Sequence, residues 1–457
     1  MGLVPQVRAR LLGADLGSPA AAPLRIVLVG RGLSHSFSAS SVPLMNSSSC
    51  RLNPNMHYAL ALGLCVWLSS AALAQSRFVH TSGTQLIDGT GHPLMLRGTN
   101  LGNWLVREGY MFHFEGGPQS AREMEALVNE LLGPEAAAKF WQTYLDRYIT
   151  RDDIQFLKRA GLNSIRIPIH YKYFLSDDSE GFRLLDRVIG WAREAGLYVV
   201  IDMHCAPAGQ TGTNIDDSWG YPWIYDSPQA QQHAIDVWKR IAAHYRDSEK
   251  VLGYDLLNEP IPHFPELKKY NSRLEPLYRR IVAGIREVDK NHVVILGGAQ
   301  WDTNFDVFGP PFDSNVMYTF HKYWMPPEQA SIQPYVDFRD KYKVPIWMSE
   351  SGENTDEWIT QFRELLDKNQ IGWAFWPYKK MDSPRSVVSF ARPVYWDEVV
   401  AYAKLPGSTG DTEKRIAKRP PQEHINAAFA DLLSNIPSNK WRINQGYLKA
   451  LGLHATN

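Results

Sequence analysis

The chain has 457 residues, 44% of them hydrophobic and 21% charged, with 48 basic and 48 acidic side chains and a net charge of +0. This composition excludes a mostly disordered chain, a collagen and a multi-span membrane protein, and the balanced charge removes the broad basic footprint of a nucleic-acid binder. Three cysteines cannot build a disulfide-dense scaffold. The 15 Trp, 21 Tyr and 18 Phe fit a large core or flat stacking platforms for a ligand.

Residues 1–55 are rich in Ala, Leu, Gly and Ser and hold no sustained helix or strand period. An apolar run from Ala59 to Leu68 follows Met56, and Ala72-Leu73-Ala74 precedes Gln75. A short apolar stretch ending in A-x-A is the pattern of a secretory signal, and this one is too short to span a bilayer. Residues 56–74 are therefore expected to be a signal peptide. Residues 1–55 are expected to be a mis-started leader that translation from Met45 or Met56 would shorten or omit. Leu64 before Cys65 is too bulky for lipidation. Cys50 and Cys65 leave with the leader, so Cys205 is the sole mature thiol. The expected mature protein is a single domain, 75–457, secreted or periplasmic and monomeric.

From there the chain repeats one rhythm: a short apolar run, a loop, an amphipathic helix. Asp88-Gly89-Thr90-Gly91 is a hairpin signal, with Phe78–Val79 and Gln85–Ile87 expected as its arms. The strand candidates are Leu94–Gly98, Ser164–Pro168, Tyr198–Met203, Leu252–Leu257, Val293–Leu296, Val316–Phe320, Ile346–Ser349 and Gly372–Phe375. None alternates cleanly, as suits parallel strands buried on both faces. Helices are expected at Arg183–Ala195, Gln229–Tyr245, Leu274–Val288, Thr355–Leu366 and, last, Glu423–Ser434, with two or three more in an expanded first unit, 115–161. Eight alternations predict an α/β fold, a (β/α)8 TIM barrel with expanded loops and an N-terminal hairpin. The rival open sheet would show G-x-G-x-x-G after its first strand, but that turn reads Arg97-Gly98-Thr99-Asn100-Leu101-Gly102.

In such a barrel chemistry sits where strands end on the C-terminal face. The fourth run ends Leu257-Asn258-Glu259-Pro260 and the seventh ends Ser349-Glu350-Ser351-Gly352. Two glutamates facing each other across the mouth are the minimal machinery of glycoside hydrolysis. One must hold its proton while the other is ionised, so their surroundings must differ. Arg166 and Tyr323 stand where they can lower one carboxyl's pKa, and Trp376 offers a sugar ring an apolar face. No H-E-x-x-H, paired-Cys, G-x-S-x-G or P-loop motif is present, so no metal and no cofactor are expected.

The ordered set Arg166, His204, Asn258-Glu259, His321, Tyr323, Glu350 and Trp376 resembles the active-site set of glycoside hydrolase family 5, the cellulase family, from about Leu94 to Trp376. The resemblance implies retaining chemistry. Glu259 is the implied acid/base and Glu350 the implied nucleophile, with Asn258 on the 2-hydroxyl side. Arg166 and Tyr323 would orient Glu350, His321 would set the proton affinity of Glu259, and His204 and Trp376 would hold the sugar. Leu96–Glu108 and His204–Gly212 are similar to the family's exo-β-1,3-glucanases, which implies a pocket role for Glu108; Asn103 stands where that subgroup prefers Gly.

The expected activity is hydrolysis of a β-1,3- or β-1,4-linked glucan, the partner being a polysaccharide or oligosaccharide and not nucleic acid or membrane. A β-mannanase, a glycolipid glycosidase and a non-catalytic carbohydrate-binding barrel stay open. Taken singly, Glu259 also reads as a helix N-terminal acid, Arg166 as a structural brace, His204, His321 and Trp376 as core, and Glu353 as a competitor of Glu350. Trp219, Trp223, Trp301 and Trp324 are loop aromatics that either pack or line distal sugar sites.

Overall fold

The computed structural model describes residues 77–218, 220–405 and 412–454. The leader and signal peptide expected at 1–55 and 56–74 lie outside the described residues, as does Trp219.

Strands β1 (His80–Ser82), β2 (Gln85–Ile87) and β3 (Pro93–Leu94) form a small antiparallel sheet. Then β4 (Arg97–Asn100), β5 (Ser164–His170), β6 (Tyr198–Cys205), β7 (Val251–Asp255), β8 (Val293–Gly297), β9 (Val316–His321), β10 (Ile346–Glu350) and β11 (Gly372–Phe375) close into a parallel barrel. The helices of the first unit are α1 (Ala121–Leu132), α2 (Pro134–Tyr148) and α3 (Arg151–Ala160). There follow α4 (Glu180–Ala195), α5 (Pro228–Tyr245), α6 (Asn271–Val288), α7 (Gln329–Tyr342) and α8 (Asp356–Lys368). Capping boxes start α1 and α3: Ser120 and Thr150 accept from the backbone three residues on, and Glu123 and Asp153 reach back.

The apolar runs lack alternation because both faces of each strand are buried. Outward residues such as Ile165, Ile167, Val199 and Ile201 pack under the helices. Inward residues Val200, Leu252, Ile295, Met317, Trp347 and Ala374 fill the barrel's lower half, closed from beneath by Val79, Leu86 and Leu96. One layer higher the inward positions turn polar: Arg166, Asp202, Asp255, Thr319 and Ser349 are all fully buried. The strand code thus separates a greasy floor from a charged upper layer.

Several expected boundaries shift. The first hairpin turns at Gly83 with His80–Ser82 as its arm rather than Phe78–Val79, and the Asp88 turn joins β2 to β3. Because Leu94 pairs with Leu86 in that cap, the first barrel strand starts at Arg97, not Leu94. The fourth strand ends at Asp255 rather than Leu257. Glu423–Ser434 is not the last helix. The chain builds β12 (Lys379–Met381), β13 (Val388–Phe390), α9 (Trp396–Ala403), α10 (Thr412–Lys418) and α11 (Gln422–Asn435), then β14 (Arg442–Ile443) and α12 (Gln445–Ala450).

Strands β12–β14 form their own sheet, fastened to α3 by a buried ion pair. Lys379 Nζ lies 2.8 Å from Asp153 Oδ1, with both side chains wholly buried. The ammonium also donates to the carbonyls of Tyr148 and Ile436, and the carboxylate accepts from Tyr378 and Trp441. Asp153→Ala would leave the ammonium buried without its counter-charge. We expect it to lower unfolding free energy by about 3–5 kcal/mol, read from chemical denaturation; a loss within 1 kcal/mol would mean the pair behaves like a surface one.

Candidate active site

Both sequence-predicted glutamates reach the barrel mouth through irregular backbone. Along β10, Trp347 and Ser349 point inward, so regular alternation would turn the next side chain outward. The β9–β10 register slips between Met348 and Glu350, and that bulge re-aims Glu350 into the mouth. After β7, Glu259 takes a φ of 49°, a left-handed conformation that is costly for a side chain of this kind. Carboxylate oxygens of the two residues come within 4.8 Å of each other.

Below them Arg166 organises the charged layer. Its guanidinium donates to Asp255 Oδ2 at 2.9 Å, Asn100 Oδ1 at 3.0 Å, Glu350 Oε2 at 3.0 Å and Asn258 Oδ1 at 2.9 Å, and lies 3.0 Å from Asp202 Oδ1. One cation faces Asp202, Asp255 and Glu350. It cannot neutralise all three, and burial pushes Asp202 and Asp255 each up to about 7.

The two glutamates differ in their partners. Glu350 accepts from Arg166 and, at 2.8 Å, from the Tyr323 hydroxyl. The sequence leads one to expect a lowered pKa there. Instead burial, with the charge of Glu259, outweighs the lowering by His321 and Arg166 and leaves Glu350 above the ordinary glutamate value. Among the described residues no lysine or arginine is in hydrogen-bond contact with Glu259; burial raises it to about 7, against weaker lowering by His204 and Arg166. Its Oε1 lies 2.9 Å from His321 Nδ1, while His321 Nε2 lies 2.9 Å from Ser349 Oγ. Burial holds His321 down near 3, so its ring is neutral. It can therefore accept a proton-bearing bond from a protonated Glu259 or donate to an ionised one.

The mouth opens into a cavity of about 550 Å³ whose walls include Glu108, Tyr110, Trp301, Trp324, Glu353 and Trp376. His204 also reaches it. The His204 Nδ1 lies 2.8 Å from Asp202 Oδ2, its Nε2 faces Asn258 Nδ2 at 3.4 Å, and its ring is parallel to Trp376 with centroids 5.7 Å apart. The Trp376 indole donates to the Tyr110 hydroxyl at 2.8 Å. Beneath that indole Gly102 must be glycine: an added Cβ would sit 2.3 Å from the ring. Asn258 and Arg166 lie behind the wall and act on the cavity through other side chains. So does Asn103, which adopts φ 63° and accepts the Glu108 backbone N–H at 3.1 Å; Asn tolerates the conformation that glycine would otherwise supply. Glu108 Oε1 is buried with no hydrogen-bond partner among the described residues, and burial, then Glu350 and Glu353, raises its carboxyl well above normal.

Glu353, the competitor of Glu350 in the sequence, has different partners. It pairs with Lys380, whereas the Arg166 and Tyr323 bonds go to Glu350. Of the loop tryptophans, Trp301 and Trp324 line the cavity, whereas Trp223 packs against Tyr221. The sequence reading missed Asn100, Asp202, Asp255, Ser349 and Asp302 as members of the site. Parity along each strand was the available signal: Asn100, Asp202 and Ser349 fall on the inward register shared with Arg166 and His204 (Asp202 and Asp255 face one another across the sheet).

Glu259, His321 and Glu350 also bring possible ligand atoms for a metal ion within 4.8 Å of one another. The Arg166 guanidinium 3.0 Å from Glu350 sets a fixed positive charge against any such ion, so the trio fits proton chemistry better than cation binding.

The family model Cellulase (glycosyl hydrolase family 5) matches residues 128–382. A "Beta-xylosidase" of Phanerodontia chrysosporium is 30% identical over 352 residues, covering 66% of this chain and 71% of that protein. A "Probable glucan 1,3-beta-glucosidase A" of Aspergillus fumigatus is 32% identical over 246 residues, covering 52% of this chain and 56% of that protein. Among solved structures, an endogalactoceramidase aligns with a TM-score of 0.50 at 19% identity, covering 66% of this chain and 75% of that one; at that identity the likeness is one of fold. Among the described residues no helix is long and apolar enough to cross a membrane.

Proposed function

The chain belongs to glycosyl hydrolase family 5 and is a glycoside hydrolase, and from that premise we propose a retaining enzyme that cleaves β-linked glucan by double displacement. The observation that carries the reading is the approach of Glu259 and Glu350 within 4.8 Å. Retaining enzymes hold their carboxyls about 5–5.5 Å apart, and inverting enzymes need about 6.5 Å or more to admit a water. Glu350, ordered by Arg166 and Tyr323, attacks the anomeric carbon as its bond to the leaving oxygen breaks. Glu259 gives that oxygen its proton. In the second step Glu259 takes a proton from water, whose oxygen displaces Glu350 and releases the sugar with its original configuration. Trp376 and His204 hold the sugar before the cleaved bond, with Asn258 orienting His204.

A substrate of β-1,3-glucan type is supported by the kinship with a protein named as a glucan 1,3-beta-glucosidase and by Glu108 in the cavity wall. The β-xylosidase relative makes short xylosides the second substrate to try. With this reading go export through the signal at 56–74 and action as a monomer.

Product analysis on laminarin, lichenan, carboxymethylcellulose, mannan and xylo-oligosaccharides tests the proposal. We expect sugar release from laminarin, with the β-anomer appearing first by NMR. Glucose as the sole early product indicates attack from a chain end, with Glu108 as the pocket wall. A ladder of oligomers indicates internal attack. Release from mannan alone moves the substrate assignment, first-formed α-anomer overturns retention, and binding without any release overturns catalysis.

A further inference from the structure

The loop after β8 brings another carboxyl beneath the acid/base. Gln300, Trp301 and Asp302 take φ values of 54°, 61° and 57°, three successive side-chain-bearing residues in the left-handed region, an arrangement that persists only when its surroundings over-determine it. The bend is held at one end by Gln300, whose amide exchanges hydrogen bonds of 2.8 and 3.1 Å with Asn271. At the other end it turns Asp302 inward to complete burial. Gly297 makes room for it: a Cβ there would lie 2.0 Å from Asp302 Oδ1.

The destination of that carboxyl is specific. Asp302 Oδ2 accepts the backbone N–H of Glu259 at 3.1 Å and lies 3.3 Å from Nε2 of His321. It therefore touches both the main chain that presents Glu259 and the imidazole that Glu259 faces. Asp302 Oδ1 has no hydrogen-bond partner among the described residues. The neighbouring Tyr278 and Tyr335 hydroxyls donate elsewhere, to the carbonyls of Gly297 and Thr303. A carboxyl placed only to brace its own loop would bond to that loop; this one accepts from the loop after β7 and lies against the end of β9. Burial, with Asp255 and Glu259 nearby, keeps its proton well above the ordinary aspartate range, so it adds little negative charge beside the acid/base.

We propose that Asp302 is a positioning residue for the acid/base: it fixes the left-handed backbone of Glu259 and the far nitrogen of His321, so that the Glu259 carboxyl is held where the leaving oxygen needs its proton. The inference rests on the assignment of Glu259 as acid/base.

The dependence on leaving group separates this role from a structural one. Kinetics of the full-length enzyme and of Asp302→Ala and Asp302→Asn are measured on dinitrophenyl β-glucoside, which departs without protonation, and on phenyl β-glucoside, which needs it. Asp302→Ala is expected to lower kcat/KM for the phenyl substrate at least about tenfold, while the dinitrophenyl substrate changes less than about threefold. Asp302→Asn keeps an oxygen acceptor for the Glu259 N–H and should recover most of the loss. Equal losses on both substrates in the soluble, folded Asn variant overturn the proposal, as does a lowered Tm with unchanged kinetics. Wild-type enzyme inactive on both glucosides and on the polysaccharide panel would instead overturn the parent reading.

Discussion

Replacing Glu350 by alanine is expected to lower turnover by on the order of 10⁵–10⁶, the scale on which loss of a covalent nucleophile is felt, and azide is expected to restore turnover with inverted product. Both halves follow from the role proposed for Glu350. Glu350 is the carboxylate that the Arg166 guanidinium and the Tyr323 hydroxyl hold at 3.0 and 2.8 Å, each oxygen thereby committed to one orientation. Truncation opens a space the size of the carboxylate beside the anomeric carbon while leaving Glu259 in place to protonate the leaving oxygen. A small anion entering that space attacks once, and a single displacement gives the α-glycosyl azide. Measured on dinitrophenyl β-glucoside, rescue giving the β-azide would transfer the nucleophile's role elsewhere. Azide without effect on a folded Glu350→Ala protein would separate the residue from covalent catalysis. Glu353 supplies the internal control: its carboxylate is spent on Lys380, so Glu353→Ala should keep far more activity than Glu350→Ala.

The barrel was legible because its strands are short apolar runs at regular intervals, and strand ends are where polar residues stand out. Glu259 and Glu350 stand out as candidates from that alone. What the pattern hides is everything that departs from regular backbone. The bulge that turns Glu350 inward and the positive φ of Glu259 are tertiary outcomes. No local propensity marks them, yet they aim the two side chains. The buried acids Asp202 and Asp255 lie inside runs read simply as strand; their inward parity with His204 and with each other was a signal left unused. Asp302 was further from reach: its loop reads as Ala-Gln-Trp-Asp after two glycines, and only the fold shows that those glycines accommodate a carboxyl and an unusual bend. The C-terminal sheet was missed for another reason. Its strands hold two or three residues each, too few to carry a period, and their anchor is the long-range Asp153–Lys379 pair.

Glu259→Gln should slow hydrolysis of poor leaving groups about 10²–10⁴-fold and should also remove the alkaline fall of the pH profile. The sign follows from the proton that each carboxyl must hold. In the proposed mechanism the first step needs Glu259 protonated, and burial raises its pKa to about 7; kcat/KM is therefore expected to decline as pH rises through that value. The same step needs Glu350 ionised, and burial leaves it above the ordinary glutamate value; activity therefore also declines as pH falls, at a higher pH than an exposed glutamate would set. The two limbs make a bell, with Glu350 the carboxyl that ionises first because it alone has a guanidinium and a phenol in contact. Glutamine at 259 cannot donate that proton at any pH, so the residual activity toward dinitrophenyl β-glucoside should keep the acid limb and lose the alkaline one. Persistence of the alkaline limb in Glu259→Gln would assign it to another group. His321, held neutral by burial near 3, is a poor candidate, and the buried acids Asp202 and Asp255, each lifted to about 7, would be the ones to replace next.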